Sequence, residues 1–233
     1  MNPKIIKEVA WVGEEYLKGK IKCVVLSFHG LGATSKGVPS SEELEWAKNG
    51  GLVIYPYYGP WSWMNRQSRA MIDELVEAVY FKYNLLKSIP LICIGGSMGG
   101  LGSLLYTRYA KRKVTACIAN CPVTNLKFHF HERDDLPPTI RHAFLGYKEN
   151  MNQLFREHSP FNQVSKMPDI PYLIIHGGLD KAVSKKNHSD KLVSAMRKRR
   201  LNVIYIEVEQ MSHCGPLPFD VFQMYAAFIS KVI

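Results

Sequence analysis

Three residues in this chain combine chemical reactivity with a setting that exposes it. Ser97 lies in Gly95-Gly96-Ser97-Met98-Gly99, a G-x-S-x-G pattern between the apolar run Leu91-Ile92-Cys93-Ile94 and a helix-compatible segment. A serine in such a strand-to-helix turn takes a strained backbone conformation, so small neighbours are needed to let strand and helix pack. Gly95 and Gly99 supply that room, and the turn pushes the Ser97 hydroxyl out at the end of the sheet. Asp180 follows the run Ile170 to Ile175, in His176-Gly177-Gly178-Leu179-Asp180. His213 follows a strand expected at 203–208. A hydroxyl is a weak nucleophile until a base takes its proton, and that base needs a partner to orient it. Serine, acid and histidine in this chain order match the order associated with the nucleophile elbow.

For these residues to meet, the chain must place three loops at one edge of a sheet. Ile21 to Phe28 reads as a continuous apolar strand, the pattern of a sheet covered on both faces, and runs into His29-Gly30-Leu31-Gly32. Ser40 with Glu43 three residues on forms a capping box for a short helix, which Asn49-Gly50-Gly51 stops before a strand at 52–55. Residues 4–12 are β-prone. From about Asn65, the positions Ile72, Leu75, Val76, Val79, Tyr80 and Tyr83 fall on one helical face. Val114 to Ala119 is a further strand. Helices are expected over roughly 185–199 and at the C-terminal end, where Phe222, Tyr225, Ala226 and Ile229 share a face. Strands and helices alternate, with five apolar strands suited to a parallel sheet. In such a sheet the loops leaving the strands' carboxyl ends share an edge, where ligands bind.

Residues 122–165 break the alternation, with several prolines, aromatics and mixed charge. They are expected to form a short cap-like insertion over the strand ends within a single domain spanning 1–233. Together with the proline-, glycine- and aromatic-rich loop 57–64, this insertion is expected to wall the substrate cleft. Trp61, Trp63 and Met64 would contribute from one side, with Phe128, Phe130 and Phe144 from the other. The competing reading has these aromatics simply packing the insertion onto the sheet. Short, uncharged acyl groups are the expected substrates, because an insertion of this length narrows a cleft without building a deep lipid tunnel.

Of 233 residues, 46% are hydrophobic and 21% charged, ordinary values for a soluble globular protein. The longest apolar runs are strand-length, too short to span a bilayer. Lys4, Lys7 and Glu8 interrupt the first hydrophobics, so no secretory signal is read. Five cysteines without C-x-x-C spacing indicate neither a disulfide framework nor a zinc site, and a reduced cytoplasmic setting is expected. Cys214, beside His213, reads as packing. The net charge of +10 is concentrated at 181–200, without an RNA- or DNA-binding signature, so a solvated helix face is expected there rather than a nucleic-acid partner.

The motifs together resemble the α/β-hydrolases, and most of all the branch of prolyl-oligopeptidase-type serine peptidases and related small esterases. The residues that carry the resemblance are Phe28-His29-Gly30, the elbow Gly95-Gly96-Ser97-Met98-Gly99, and His176-Gly177-x-x-Asp180-x-x-Val183. His158-Ser159-Pro160 and Ser212-His213 complete it. Ser184 departs from the pattern where relatives often have proline, and no N-terminal propeller is present in these residues. The resemblance implies an α/β-hydrolase fold, a mostly parallel central sheet with helices on both faces. It also implies an acyl-enzyme mechanism on Ser97, His213 and Asp180. The oxyanion would be held by the N–H groups of Met98, next to the nucleophile, and Leu31, in the His29-Gly30 loop. No metal or cofactor is expected. The expected substrate is a small ester or peptide, with carboxylesterase first and a small peptidase second. For a peptidase, Glu132, Arg133, Asp134 and Asp135 are candidate anchors for a peptide terminus. A hydrolase fold kept as a binding module is the third reading. The residues leave oligomeric state and natural substrate open.

Overall fold

The computed structural model describes residues 1–233. After a single 3-10 turn, the chain runs through α1 (Ile6–Val9), β1 (Ala10–Val12), β2 (Cys23–Phe28), α2 (Ser41–Lys48), β3 (Gly51–Pro56), α3 (Arg66–Lys82), β4 (Leu91–Gly96) and α4 (Met98–Tyr109). It continues with β5 (Ala116–Asn120), α5 (Leu126–His129), α6 (Leu136–Ala143), α7 (Met151–Glu157), α8 (Pro160–Gln163), β6 (Tyr172–Gly177), α9 (Ser189–Lys198), β7 (Val203–Val208) and α10 (Phe219–Val232). The strands form one sheet in the order β1-β3-β2-β4-β5-β6-β7. Only β1 is antiparallel to its neighbour.

Burial explains the strands. Every residue of β2, β3 and β6 is buried, as expected where helices cover both faces. Successive side chains point to opposite faces. Val24, Leu26 and Phe28 therefore join a large core on one side, while Cys23 and Val25 join a smaller one on the other, against Trp46 and Tyr225. These last two also meet through an indole hydrogen bond to the Tyr225 hydroxyl at 2.9 Å. The expected capping box of α2 is formed by Ser40 and Glu43. Residues 4–12 correct the expectation of a strand. Pro3–Ile5 is a 3-10 turn and Ile6–Val9 a short helix, leaving three residues of strand, and Ile6 is fully buried in the larger core.

The sheet order reverses direction beside β2, with β3 on one side and β4 on the other. This switch point is where parallel sheets open a crevice at the strands' carboxyl ends. Phe28 is in register with Gly95, which brings the loop after β2 alongside Ser97.

Candidate active site

Ser97 sits between β4 and α4 with φ 58° and ψ −124°, a region that costs a non-glycine residue about 1–3 kcal/mol. The glycines make this turn feasible. A β-carbon on Gly99 would lie 2.1 Å from the Phe28 carbonyl oxygen, and one on Gly95 2.4 Å from the Gly99 oxygen. The turn is held from outside by the Ser97 N–H, which donates to the Asn120 carbonyl at 2.9 Å.

Ser97 Oγ lies 2.9 Å from His213 Nε2, and His213 Nδ1 lies 2.7 Å from Asp180 Oδ2. Thus the three residues singled out by sequence meet in one hydrogen-bonded line. Asp180 is itself fixed on several sides. Its Oδ1 accepts the N–H groups of Ala182 and Val183, both at 2.9 Å. His176 Nε2 is 3.2 Å from Oδ2, while His176 Nδ1 meets the Ser189 hydroxyl at 2.7 Å. Burial alone would raise the Asp180 pKa, but the hydrogen bonds from His176, His213 and Val183 outweigh it and hold the carboxylate below its usual range. For His213, burial opposes the charged ring. Its hydrogen bonds to Asp180 and Cys121, with the Asp180 charge, overcome that and raise its pKa to about 9. The line can therefore draw a proton from Ser97 and stabilise the imidazolium that results.

Met98 opens α4, so its N–H is among those a helix leaves without an internal partner. Leu31 lies in the loop after β2, and its N–H donates to no backbone carbonyl. That loop is braced by His29, whose Nδ1 sits 2.9 Å from the Gly30 oxygen and whose ring stacks on Tyr58 at 3.9 Å. Burial lowers the His29 pKa, so its ring is a neutral brace.

Ser97, His213 and Leu31 open into a cleft of about 590 Å³. Nine of its 22 lining residues are hydrophobic, so its walls are more polar than expected. Sequence reasoning missed a polar cluster in its wall. Glu43 accepts the Ser27 hydroxyl at 2.5 Å and the Ser40 N–H at 2.8 Å, and pairs with Lys36 at 2.7 Å. The capping-box signal marked Glu43, but nothing in the sequence paired it with Ser27.

The expected aromatic walls are elsewhere, and that expectation is corrected. Trp63 and Met64 are fully buried in the main core, and the Trp63 indole donates to the Thr139 hydroxyl at 3.2 Å. Phe130 packs edge-on against Phe155, and Phe144 against His158 and Tyr147. Phe128 faces His188, and the half-exposed Trp61 meets His142. None of them lines the cleft. The physical reason is apolar area: large rings in a proline-broken segment gain most by fastening it to the sheet. The same fastening continues through Asn65 to the Ala143 oxygen and through Arg66 and Arg69 to Glu157. From 122–165, only Arg133 reaches the cleft.

Of the expected charged anchors Glu132, Arg133, Asp134 and Asp135, Arg133 lines the cleft, while Glu132 and Asp135 are engaged elsewhere. Glu132 is taken up internally, by His129 at 2.7 Å, His188 at 3.1 Å and the Ser184 N–H at 2.7 Å. Asp135 pairs with Arg133. Glu132 instead ties the segment 122–165 to the loop that follows Asp180.

Residues 70–232 match the model of the prolyl oligopeptidase family. A curated relative, the uncharacterized peptidase YtmA of Bacillus subtilis (strain 168), is 24% identical over 176 residues, covering 72% of this chain and 63% of YtmA. Among solved structures, the acylaminoacyl peptidase of Pyrococcus horikoshii superposes with TM-score 0.75 at 16% identity, over 95% of this chain and 38% of that one. A puromycin-hydrolyzing peptidase of Mycobacterium tuberculosis gives 0.73 at 19%, over 92% and 35%. This chain thus spans little more than a third of those two peptidases. Esterase B from Lactobacillus Rhamnosis gives 0.67 at 13%, over 92% and 78%. These likenesses show an α/β-hydrolase fold, and with a family match over more than half of its length, the chain belongs to the prolyl oligopeptidase family.

Proposed function

We propose that this protein is a serine hydrolase that cleaves acyl bonds through an acyl-enzyme on Ser97. The observation that carries the reading is the hydrogen-bonded line from Ser97 through His213 to Asp180, 2.9 and 2.7 Å long, opening into the cleft. His213 Nε2 takes the Ser97 proton as Oγ attacks the carbonyl. Asp180 holds the proton of His213 on Nδ1 and balances the imidazolium charge. The N–H groups of Met98 and Leu31 receive the oxyanion, a contribution worth about 3 kcal/mol per donor in comparable sites. The imidazolium then protonates the leaving group, and water, activated by the same ring, releases the acyl group. The reaction so written needs no metal or cofactor.

Peptide and aminoacyl-amide bonds are the favoured substrates. Family membership supports them, and so does the mixed cleft, where Lys36, Glu42, Glu43 and Arg133 stand beside apolar residues. Carboxylic esters are the second reading, supported by the likeness to esterase B, a protein closer to this chain in length. Hydrolysis of aminoacyl p-nitroanilides against p-nitrophenyl esters with the same acyl groups tests the choice. The favoured reading expects both to be turned over, with a strong dependence on the amino-acid side chain. Turnover of esters alone would replace it with the second reading, and no turnover of either would remove both.

A further inference from the structure

Two thiols stand beside the Ser97–His213 hydrogen bond, and neither reacts in the chemistry above. Cys121 is the residue after β5, and Cys214 follows His213. The Cys214 N–H donates to Cys121 Sγ at 3.3 Å, and Cys214 Sγ lies 3.6 Å from the Asn120 oxygen and 4.0 Å from His213 Nε2. The two sulfurs and a His213 ring nitrogen all lie within 4.8 Å of one another. Both cysteines hold positive φ, 44° and 49°, a conformation kept only where the surroundings over-determine it. Cys121 is buried, while Cys214 is exposed and lines the cleft, so an ion can arrive from solvent.

We propose that Cys121, Cys214 and His213 form a binding site for a thiophilic divalent cation such as zinc, whose occupation stops hydrolysis by taking the His213 Nε2 lone pair. The inhibitory half rests on the assignment of His213 as base; the site itself does not. Two sulfurs and an imidazole are a soft donor set of the kind that selects zinc. Bond lengths near 2.3 Å to sulfur and 2.0 Å to nitrogen in a tetrahedral site place sulfur about 3.5 Å from nitrogen. The observed 4.0 Å between Cys214 Sγ and His213 Nε2 therefore has to close by only about half an ångström.

Tautomers single out this cluster from two others. With its Nδ1 proton held by Asp180, His213 can offer only Nε2 to a metal, and a carboxylate behind a ligating imidazole is the usual support of a zinc ligand. In the group His129, Glu132 and His188, His188 Nδ1 accepts the N–H groups of Thr124 and Asn125. Its proton is therefore on Nε2, facing Glu132, and no lone pair is left there. In the group Cys121, His176 and Asp180, His176 Nε2 faces the Val183 carbonyl and the Asp180 carboxylate. It too must carry its proton. On binding at the proposed site, the two thiols, and Nε2 wherever it carries a proton, release their protons to solvent, and the dication gains two thiolates and one neutral imidazole. Because His213 and Cys214 both line the cleft, water can complete the coordination, and the Ser97–His213 hydrogen bond is lost.

The test uses cadmium chloride as an optical probe, read by its ultraviolet thiolate charge-transfer absorption, and zinc chloride as the inhibitor of p-nitrophenyl ester hydrolysis. Wild type and Ser97→Ala should both give a band that saturates at one equivalent of cadmium. Cys214→Ala and the conservative Cys214→Ser should lose about half of the band and bind more than about 100-fold more weakly, beyond the roughly 10–100-fold that outer-shell changes near ligands cause. Zinc should inhibit wild type reversibly by EDTA, and each Cys214 variant, referred to its own zinc-free rate, should need more than about 100-fold more zinc. No cadmium band in wild type, or an unchanged band in both variants, would overturn the site. A band with zinc-insensitive hydrolysis would overturn the inhibitory half. A saturating band in a protein with no hydrolase activity would support the site and sink the hydrolase reading instead.

Discussion

Gly177→Ala is a substitution outside the three reacting residues that should nevertheless disable them. Gly177 ends β6, three residues before Asp180, where the chain passes directly beneath the loop that carries His213. A β-carbon there would lie 2.2 Å from the Met211 carbonyl oxygen, 2.8 Å from the Met211 carbonyl carbon and 2.9 Å from the Ser212 oxygen. These are backbone atoms, so no side chain can swing aside. Restoring ordinary van der Waals contact requires the 211–212 backbone to move by roughly 1 Å, and a misplacement of that size costs on the order of 10²-fold in turnover. The same backbone receives the Leu179 N–H through the Met211 carbonyl at 3.1 Å, so Asp180 and His213 lose their common reference together. The assay is kcat/KM for a p-nitrophenyl ester with circular dichroism to confirm folding, beside Gly37→Ala, whose β-carbon would meet nothing within 4 Å. The expected result is a loss near 100-fold for Gly177→Ala and none for Gly37→Ala. A folded Gly177→Ala enzyme with near wild-type kcat/KM would refute the claim that this contact sets the position of His213.

Asp180→Asn should lower turnover by about 10⁴-fold with little change in substrate binding, by analogy with amidated triad aspartates elsewhere, and steady-state kinetics separate the two. Because His213 must be neutral to act as base and its pKa is raised above the ordinary 6.5, kcat/KM should climb with pH above that value. The climb should shift to lower pH in Asp180→Asn, measured on whatever activity remains. His158 is fully buried and burial, with nearby Arg69, lowers its pKa to about 4. The unfolded chain binds that proton first as pH falls, so this group should cost stability progressively between about pH 6.5 and 4. At 1.36 kcal/mol per pKa unit the loss is about 3 kcal/mol at most, and urea unfolding of His158→Gln across that window should show a flatter profile than wild type. Trp63→Ala should destabilise by about 3–5 kcal/mol, the usual cost of emptying a buried tryptophan site, without altering the acyl-chain preference of the enzyme that remains folded.

Sequence pattern made some of this legible because local rules and the fold agreed. Continuous apolar runs such as Val24–Leu26 and Leu173–Ile175 have one comfortable place, inside a two-sided parallel sheet. The glycines around Ser97 have one evident use. Once the strands are parallel, their loops share an edge, and the meeting of Ser97, Asp180 and His213 follows from topology without any knowledge of distances. His29 and His176, each in an HG turn, hold their loops through neighbouring groups instead of reaching Ser97. Residues 4–12 misled because the β-branched Ile5, Ile6, Val9 and Val12 suit a strand by composition, while Pro3 and the burial of Ile6 favour a turn followed by a short helix. The aromatics at 61–64 and 128–144 misled for a different reason. Apolar rings near a cleft and apolar rings fastening a segment to the core have the same composition, and only tertiary packing separates Trp63 at the Thr139 hydroxyl from a substrate wall. Pairings between distant residues, such as Ser27 with Glu43 or Cys121 with Cys214, leave no periodic trace in the chain.

Intact-mass analysis after treatment with a fluorophosphonate tests the central claim most directly, because it reads the activated serine without assuming a substrate. Wild type should gain one phosphonyl group per chain, mapped by peptide sequencing to Ser97, while a folded Ser97→Ala protein should gain none. A wild-type protein that stays unmodified, or a Ser97→Ala protein that is labelled as fast, would contradict the assignment of Ser97, His213 and Asp180 as the machinery of a serine hydrolase.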